Sequence, residues 1–155
     1  MNIRKAGLGD IDILIKLRFD YRNDRNKTMT QEEQENLRQN LKIYFQKYIP
    51  ANGFIAFIAE DNGNILSTAF LSVAERPPMA AFPSSLCGTV YNVFTYPEFR
   101  KQGIATKVMT ALLEEAKKLD VVHVDLLATD DGKYLYEKLG FSEPEEYAYM
   151  RKKLK

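Results

Sequence analysis

One strand–helix–strand succession constrains the fold of this 155-residue chain more than any other feature. The residue pattern predicts a strand over Thr89–Thr95, an amphipathic helix over Gly103–Leu119 and another strand over Val121–Leu127. Consecutive strands can lie parallel only when a long connection, usually a helix, carries the chain back across the sheet. The succession therefore predicts a parallel strand pair with a helix packed on the sheet.

Earlier residues predict two helices followed by an antiparallel hairpin. Thr30 and Glu33 have the spacing of a capping box, in which each side chain accepts a hydrogen bond from the other residue's backbone N–H. Asp61-Asn62-Gly63-Asn64 separates two apolar runs with residues typical of a tight turn. The whole chain predicts the order β-α-α-β-β-β-α-β-α-β. The elements not yet given are a strand near 3–6, helices that begin at Asp10 and Thr30, and strands over Phe54–Glu60 and Ile65–Ala74. They are followed, after the parallel pair, by a helix over Asp130–Leu139 that Gly140 caps and a last strand over Tyr147–Leu154.

This order predicts an α/β fold, which some schemes call α+β. The central sheet is expected to be mixed and mostly antiparallel, with helices on both of its faces. No internal repeat or low-complexity linker interrupts the chain, and its length suits one ordinary domain. We therefore expect a single domain over residues 1–155.

Composition argues against several classes of function. Lys and Arg total 22 against 21 Asp and Glu, so no excess of charge favours non-specific nucleic-acid or membrane binding. The single cysteine, Cys87, excludes an internal disulfide and a cysteine-rich zinc site. The first residues lack a signal-peptide pattern, and no apolar run approaches the roughly 20 residues that span a bilayer. We therefore expect a cytoplasmic protein without a metal site and without nucleic-acid or membrane partners.

The most informative segment for function runs from Asn92 to Thr106, where a predicted strand enters a basic turn that opens the amphipathic helix. A helix N-terminus has unpaired N–H groups and a partial positive charge, both of which favour phosphate oxygens. Gly103 lets the backbone approach a bulky anion closely, and Arg100 and Lys101 add positive charge. The glycine patterns of P-loops and of dinucleotide-binding folds are both absent. The segment predicts a pyrophosphate site of another kind.

Two motifs in the second half of the chain point to one family. Arg100-Lys-Gln-Gly-Ile-Ala105 fits the signature Arg/Gln-x-x-Gly-x-Gly/Ala. In Thr129–Phe141, a predicted helix that carries Leu135-Tyr136 ends at Leu139-Gly140-Phe141. Both motifs, in this order, resemble those of the GNAT superfamily of acyl-CoA N-acyltransferases, and the resemblance is strong over residues 89–141. It implies the GNAT fold and acetyl-CoA as the donor of an acetyl group.

The resemblance also implies how this chain would bind acetyl-CoA. In the family, the strand before the phosphate loop splays from its parallel neighbour, and its free backbone groups bond the pantetheine arm and the thioester carbonyl. The matching positions are Val93, Phe94 and Thr95. A backbone donor to that carbonyl would stabilise the oxyanion that develops when an amine attacks. The pyrophosphate would be held by the loop and the helix start, namely Arg100, Lys101, Gln102, Gly103, Ile104, Ala105 and Thr106.

Three further residues are candidates through the same resemblance. Tyr136 matches a tyrosine proposed in the family as a general acid toward the CoA thiolate; alternatively, it only packs on CoA. Thr129 stands where many relatives have an Asn in contact with CoA, and the alternative that we favour is a structural cap of the following helix. Asn92 shares a strand face with Phe94 and is a candidate catalytic residue that points into the acceptor site or orders a water.

No general base is evident. Some relatives carry Glu at the position of Val124, so that carboxylate is missing, and His123 and Asp125 should face the opposite side of the strand. His123 is the only histidine, but a strand histidine is more often structural than catalytic. Cys87 has no identifiable base beside it and is expected to be a small buried hydrophobe. We expect direct attack by the acceptor amine, deprotonated beforehand or through a water.

The expected activity is acetyl transfer to the amine of a small molecule or peptide, and the formation of a homodimer is left open. Two other functions compete with it: a catalytically weak CoA-binding sensor or regulatory domain, and a structural interaction domain that does not bind CoA. The acceptor cannot be identified from the sequence. In this fold its pocket is shaped by the first two helices, the 75–88 connection and the last strand, which vary most among relatives.

Overall fold

A five-stranded mixed sheet forms the centre of the computed structural model, which describes residues 1–78, 80, 85–145 and 148–155. The strands follow one another across the sheet in the order of the chain. All neighbours are antiparallel except the last two, which are parallel. The predicted fold class is therefore confirmed. The strands are β1 (Asn2–Lys5), β2 (Phe54–Asp61), β3 (Asn64–Glu75), β4 (Leu86–Thr95) and β5 (His123–Asp125).

Four α-helices cover the two faces of this sheet within the described residues. They are α1 (Ile11–Asp24), α2 (Gln31–Tyr48), α3 (Ile104–Lys118) and α4 (Asp130–Lys138). One core joins α1 and α2 to the strand residues Phe54, Ala56, Ile58 and Phe70. The other core packs α3 on the opposite face, with α4 at its margin, against residues that include Ile55, Ala59, Ala69, Leu71 and Val90.

The α2 helix begins as the sequence predicts. The Thr30 hydroxyl accepts a hydrogen bond from the Glu33 N–H at 3.2 Å, and the Glu33 carboxylate accepts one from the Thr30 N–H at 2.8 Å. This reciprocal pair satisfies two backbone donors that a helix start otherwise leaves free. The predicted cap of α4 is confirmed as well, because Gly140 has a left-handed φ of 88°.

The β4 strand contains a bulge that the sequence analysis did not predict. Thr68 on β3 pairs with Phe94, but Phe70 pairs with Tyr91, so Asn92 and Val93 together oppose a single β3 residue. Asn92 adopts a left-handed φ of 51°, a conformation that Asn tolerates better than most residues. The extra residue turns Asn92 toward the face on which Tyr91 already lies.

Two strand predictions need correction. The strand predicted over Val121–Leu127 is confirmed only as His123–Asp125. The predicted last strand, Tyr147–Leu154, is wrong over its described part, because residues 148–155 form no helix or strand; Tyr147 itself lies outside the described residues. The physical reason is that alternation along this tail buries neither face, since Tyr149, Met150 and Leu154 are all exposed, and that consecutive cations at 151–153 repel one another.

Candidate active site

The parallel strands β4 and β5 separate after a short paired region. Cys87–Thr89 lies opposite β5, whereas β4 continues alone on that side to Thr95. Among the described residues, no strand pairs with this far end of β4 on the side facing β5. The separation leaves the backbone groups of β4 after Thr89 without a described strand partner on the β5 side. This agrees with the splayed strand pair that the family resemblance implies.

The direction of the backbone groups along β4 indicates which of them face this open edge. Successive strand residues direct their N–H and C=O groups to opposite edges. The Tyr96 N–H donates to the Leu66 carbonyl on β3 at 3.0 Å, so the groups of Phe94 also face β3. The N–H groups of Val93 and Thr95 therefore point into the gap. The predicted role of all three residues stays a prediction, and the geometry favours Val93 and Thr95.

The segment from Lys101 to Thr106 presents a cluster of unused backbone donors. Within the described part of the chain, none of its N–H groups bonds a backbone carbonyl, and the first such bond beyond it is Lys107 N–H to Gly103 O at 3.2 Å. Gly103 precedes α3 with a left-handed φ of 73°, and a Cβ added there would meet no described atom within 4 Å. The first turn of α3 has no acidic residue. These features suit a phosphate group at the start of α3.

Arg100 links this loop to α1 and to the end of β4. Its Nε donates to the Thr95 carbonyl at 2.9 Å, and its Nη2 donates to the Asp24 carboxylate at 2.7 Å. The side chain is exposed, so the ion pair contributes little to stability. Lys101, Gln102 and Gly103 are exposed as well, and Ile104 is buried in the α3 core. The phosphate-binding role of the whole segment Arg100–Thr106, including Ala105, stays a prediction.

Tyr136 lies on α4 with its ring between the core and α1. The ring packs against the α3 core and meets Phe141 edge-on at 6.0 Å between centroids. Burial raises the pKa of the phenol to about 12, with a further rise from Tyr21 and an opposing effect from Arg25. None of the described residues forms a hydrogen bond with its hydroxyl. At neutral pH Tyr136 is therefore a protonated, unused donor, suited to act as an acid or hydrogen-bond donor and unsuited to act as a base.

Thr129 occupies the N-cap of α4, as the sequence predicts, but its hydroxyl makes no capping hydrogen bond. Its backbone carbonyl accepts the first helix bonds, from Gly132 at 2.9 Å and Lys133 at 3.0 Å. The favoured explanation, a side-chain cap, is therefore not what the structure contains. The hydroxyl is available for a ligand, and contact with CoA stays a prediction.

Asn92 is buried, with 4% of its surface exposed, and both ends of its amide are engaged. Its Nδ2 donates to the Leu17 carbonyl of α1 at 3.3 Å, and its Oδ1 accepts from Arg18 Nη1 at 3.2 Å. It faces α1 together with Phe94, as predicted. Its catalytic role stays a prediction, and the observed bonds make it a residue that positions Arg18. Sequence reasoning missed Arg18, because the contact depends on the bulge that turns Asn92 toward α1.

The structure also shows what surrounds Cys87. Val124 packs in the α3 core, whereas His123 and Asp125 lie on the other face, as predicted. Cys87 is buried, but His123 Nδ1 lies 3.8 Å from its Sγ, so the expectation that no base lies beside it is wrong. The register pairs Cys87 directly with His123, and no sequence signal fixes a parallel register. Cys87 precedes Asn92 by about 16 Å of strand, too far to share the open edge.

Sequence comparison decides the family. The model of the acetyltransferase (GNAT) family matches residues 17–141, which contain β2 to β5, α2 to α4 and most of α1. The chain belongs to the GNAT family. It is an N-acetyltransferase of that family, in agreement with the two motifs at 100–105 and 129–141.

Solved structures of similar fold agree with the GNAT assignment. A predicted acetyltransferase from Clostridium acetobutylicum, solved with acetyl-CoA, is 29% identical with a TM-score of 0.82, and the match covers 97% of this chain and 95% of that one. Two more distant proteins share the fold. Glucosamine-6-phosphate N-acetyltransferase from Arabidopsis thaliana is 20% identical with a TM-score of 0.67, covering 99% and 98% of the two chains. Ribosomal-protein-alanine N-acetyltransferase from Brucella melitensis biovar Abortus 2308 is 17% identical with a TM-score of 0.70, covering 98% and 99%.

Three further comparisons and searches are negative. No curated protein sequence matches the chain significantly. Among the described residues, no helix combines the length and apolarity needed to cross a bilayer. The same residues contain no group of three or more His, Cys, Asp or Glu side chains arranged to hold a metal ion.

Proposed function

We propose that this GNAT enzyme takes an acetyl group from acetyl-CoA and transfers it to the amine of a small-molecule or peptide acceptor by direct attack in a ternary complex. The observation that carries the proposal is the row of unused N–H groups at 101–106 beside the open edge of β4. The residues fit the donor, because the N–H groups at 101–106 suit its pyrophosphate and the open edge of β4 suits its extended, amide-containing pantetheine arm. The solved relative with acetyl-CoA supports the same donor.

The open edge of β4 supplies the electrostatic part of catalysis in this proposal. A backbone N–H fixed in a strand needs no reorientation when negative charge develops on an acyl oxygen. Val93 and Thr95 are the residues whose N–H groups point into the gap. The Thr95 strand position is held by its hydroxyl, 2.8 Å from the Ser67 hydroxyl, and by Arg100 on its carbonyl. These contacts keep the donors in place without using them.

Tyr136 supplies a hydrogen bond to the departing sulfur. Its pKa of about 12 lies well above that of an ordinary thiol, about 8.5, so complete proton transfer to the thiolate is uphill. A hydrogen bond to developing negative charge needs no such transfer and is typically worth about 1.5–3 kcal/mol. The acceptor amine attacks as its free base, deprotonated beforehand or through a water, since Tyr136 is protonated and Val124, in the α3 core, stands where some relatives carry Glu.

The substitution Tyr136→Phe tests this role, because it keeps the ring and removes only the hydroxyl. Steady-state kcat should fall by about 10- to 100-fold, the effect of one hydrogen bond to a charged atom, while the affinity for acetyl-CoA changes little. Tyr134→Phe on the same helix is the matched control, since Tyr134 is 67% exposed and should leave kcat unchanged. Equal rates for wild type and Tyr136→Phe would leave Tyr136 as a packing residue.

The pH profile gives a second reading of the same residue. Because the raised pKa keeps the phenol protonated, kcat/KM should rise with pH as the acceptor amine loses its proton and should show no fall from Tyr136 up to about pH 10. A falling limb between pH 7 and 9 that disappears in Tyr136→Phe would contradict this protonation state. Release of CoA thiol with a panel of amines separates an active enzyme from a CoA-binding sensor, the alternative function.

The setting of this activity is also a proposal. We take residues 1–155 as one domain that works in the cytoplasm without a metal ion, a membrane partner or a nucleic-acid partner. The support is the near balance of 22 basic and 21 acidic residues and the single cysteine. Whether the enzyme works as a homodimer is decided by its mass in solution.

A further inference from the structure

Arg18 is a partly buried cation that has no acidic partner among the residues that the structure describes. Its guanidinium on α1 donates to Asn92 Oδ1 at 3.2 Å, and none of the ion pairs between described residues includes it. Burial lowers its pKa; Tyr21 and Tyr91 oppose this shift, and the positive charge of Arg22 adds to it. A buried guanidinium is normally paired with an acidic group or fully hydrogen-bonded, because removal of its hydration is costly. Arg18 has donors left for such a group.

Arg22, one helical turn after Arg18, adds a second unsatisfied cation. Its Nε is buried, and none of the described residues accepts a hydrogen bond from it. Side chains four residues apart on a helix are neighbours, and like charges at that spacing destabilise the helix. The chain therefore holds two adjacent arginines whose repulsion is not offset by a described acidic partner. A bound anion would offset it.

Tyr21 and Asn92 connect Arg18 to β4, the strand that carries the proposed transfer site. The Tyr21 ring lies 6.0 Å from the Arg18 guanidinium and meets the Phe94 ring of β4 edge-on at 6.4 Å. Tyr136 and Val93 of β4 pack against the same α3 core, and Tyr21 contributes to the raised pKa of Tyr136. Arg18 and Arg22 are distinct from Arg100, the cation of the proposed phosphate loop, which is paired with Asp24.

We propose that the acceptor amine carries an anionic group, a carboxylate or a phosphate, which Arg18 and Arg22 bind. The inference rests on the proposed acetyl transfer and names the class of its acceptor. Guanidinium groups bind both kinds of anion through paired N–H donors. Asn92 orients Arg18 for this contact, and Tyr91, 48% exposed on the same strand face, interacts electrostatically with Arg18. The amine of the acceptor then lies toward the open edge of β4.

Matched pairs of acceptors test the inference and separate its two chemistries. One arm compares amino acids of increasing chain length with their amides, and the other compares aminoalkyl phosphates with the corresponding amino alcohols. Acetyl transfer is measured for each, and binding of each to the enzyme saturated with CoA is measured by calorimetry. We expect the anionic member of at least one arm to have a kcat/KM about 10- to 100-fold higher and to bind more tightly, since one hydrogen bond to a charged group is typically of this size.

Arg18→Gln should bring the ratio of kcat/KM between the anionic and the neutral member of each pair close to one. The loss should appear mainly in KM, because the anionic group is held equally before and during transfer. Arg18→Lys keeps the charge without the planar fork and should retain part of the preference. Arg38→Gln on α2 is the control, because Arg38 is exposed and its described contacts are a long ion pair with Glu35 at 3.9 Å and the Phe19 ring at 5.3 Å, not Asn92 or Arg18. Thermal unfolding of each variant shows whether it is folded.

The outcomes distinguish this inference from the proposed function. Transfer to neutral amines as fast as to their anionic partners, in both arms, would overturn the anionic acceptor and leave acetyl transfer standing. Calorimetry that shows tighter binding of anionic amines, lost in Arg18→Gln but without any transfer, would retain the anion site and refute the transfer. An anion preference that Arg18→Gln does not change would also overturn the inference.

Discussion

The starts of α2 and α3 differ in how they treat the free backbone donors that every helix start leaves. At α2, Thr30 and Glu33 satisfy each other's N–H groups, and acidic side chains occupy the first turn. At α3, Gly103 has no side chain to offer, the first turn has no acid, and the N–H groups of residues 101–106 bond no backbone carbonyl in the described chain. Both helices are well formed.

The difference is the one expected if the α2 start serves stability and the α3 start, as we propose, binds a ligand. In a capped helix start the N–H donors are occupied and acidic side chains neutralise the partial positive charge, so neither is left to bind an anion. An uncapped start on a helix that is already held by its core can keep its donors free. The α3 helix can do so because Val108, Met109 and Leu112 are fully buried against the sheet. Its stability comes from packing rather than from capping.

The largest expected effect comes from closing the α3 start with a like charge. Gly103→Glu should weaken acetyl-CoA binding by about 100-fold or more, because a like charge about 4 Å from a phosphate opposes binding by up to about 4 kcal/mol at an effective dielectric constant near 20. Calorimetric titration with acetyl-CoA measures the loss.

Gly63→Glu is the matched control for that substitution. Gly63 has a similar left-handed φ, 80° against 73°, and open space around it, but it lies in the β2–β3 hairpin. Both variants should lose similar stability from backbone strain, and only Gly103→Glu should lose binding. Wild-type affinity in Gly103→Glu would move the phosphate site away from α3.

A smaller effect is expected from giving α3 the acid that α2 has. Thr106 holds the same helix position in α3 as Glu33 in α2, three residues after the N-cap. Thr106→Glu should stabilise the free enzyme by roughly 0.5 kcal/mol through the helix dipole and weaken acetyl-CoA binding by about 10-fold. Opposite signs in thermal unfolding and in ligand affinity would establish that the bare start of α3 is a binding feature. An equal or tighter affinity would contradict it.

The smallest effect on binding is expected at α2. Thr30→Ala removes one half of the capping box and should lower the free energy of unfolding by about 1 kcal/mol. Acetyl-CoA affinity should stay at the wild-type value, because this helix start has no donors assigned to the ligand. Denaturant unfolding and calorimetry on the same sample give both numbers. A clear loss of affinity would mean that the two helix starts are coupled.

Local patterns made much of the fold predictable from sequence. The Thr30–Glu33 capping box, the turn at 61–64 and the α3 helix depend on residues close together in the chain, and the structure contains all three. The parallel pair followed from the strand–helix–strand succession, because a helical connection carries the chain back across the sheet and lets the second strand run parallel to the first. The family was recognised by the motifs at 100–105 and 129–141, and the phosphate-binding role of the first motif stays a prediction.

Features that depend on contacts between distant residues were not predictable. The alternation of residues 147–154 resembles that of a strand, but a strand needs a partner and a face to bury, and the described tail has neither. The register that brings Cys87 to His123 is set by the whole sheet. The contact between Arg18 and Asn92 joins residues 74 positions apart and depends on a bulge, which no local pattern announces.

The bulge at Asn92 changes whether the odd-numbered or the even-numbered residues of β4 face α3. Before it, even-numbered Gly88 and Val90 lie on the α3 side; after it, the odd-numbered Val93 lies there and the even-numbered Phe94 faces α1. The strand thus contains two patterns of side-chain alternation, which meet at position 92. If β4 kept all its residues but lost the bulge, regular alternation would turn Asn92 and Phe94 toward α3 and Val93 toward α1, whereas deletion of Asn92 would remove the bulge and leave the faces of Val93 and Phe94 unchanged. In this strand the bulge between Val90 and Phe94 matters as much as which residues lie there.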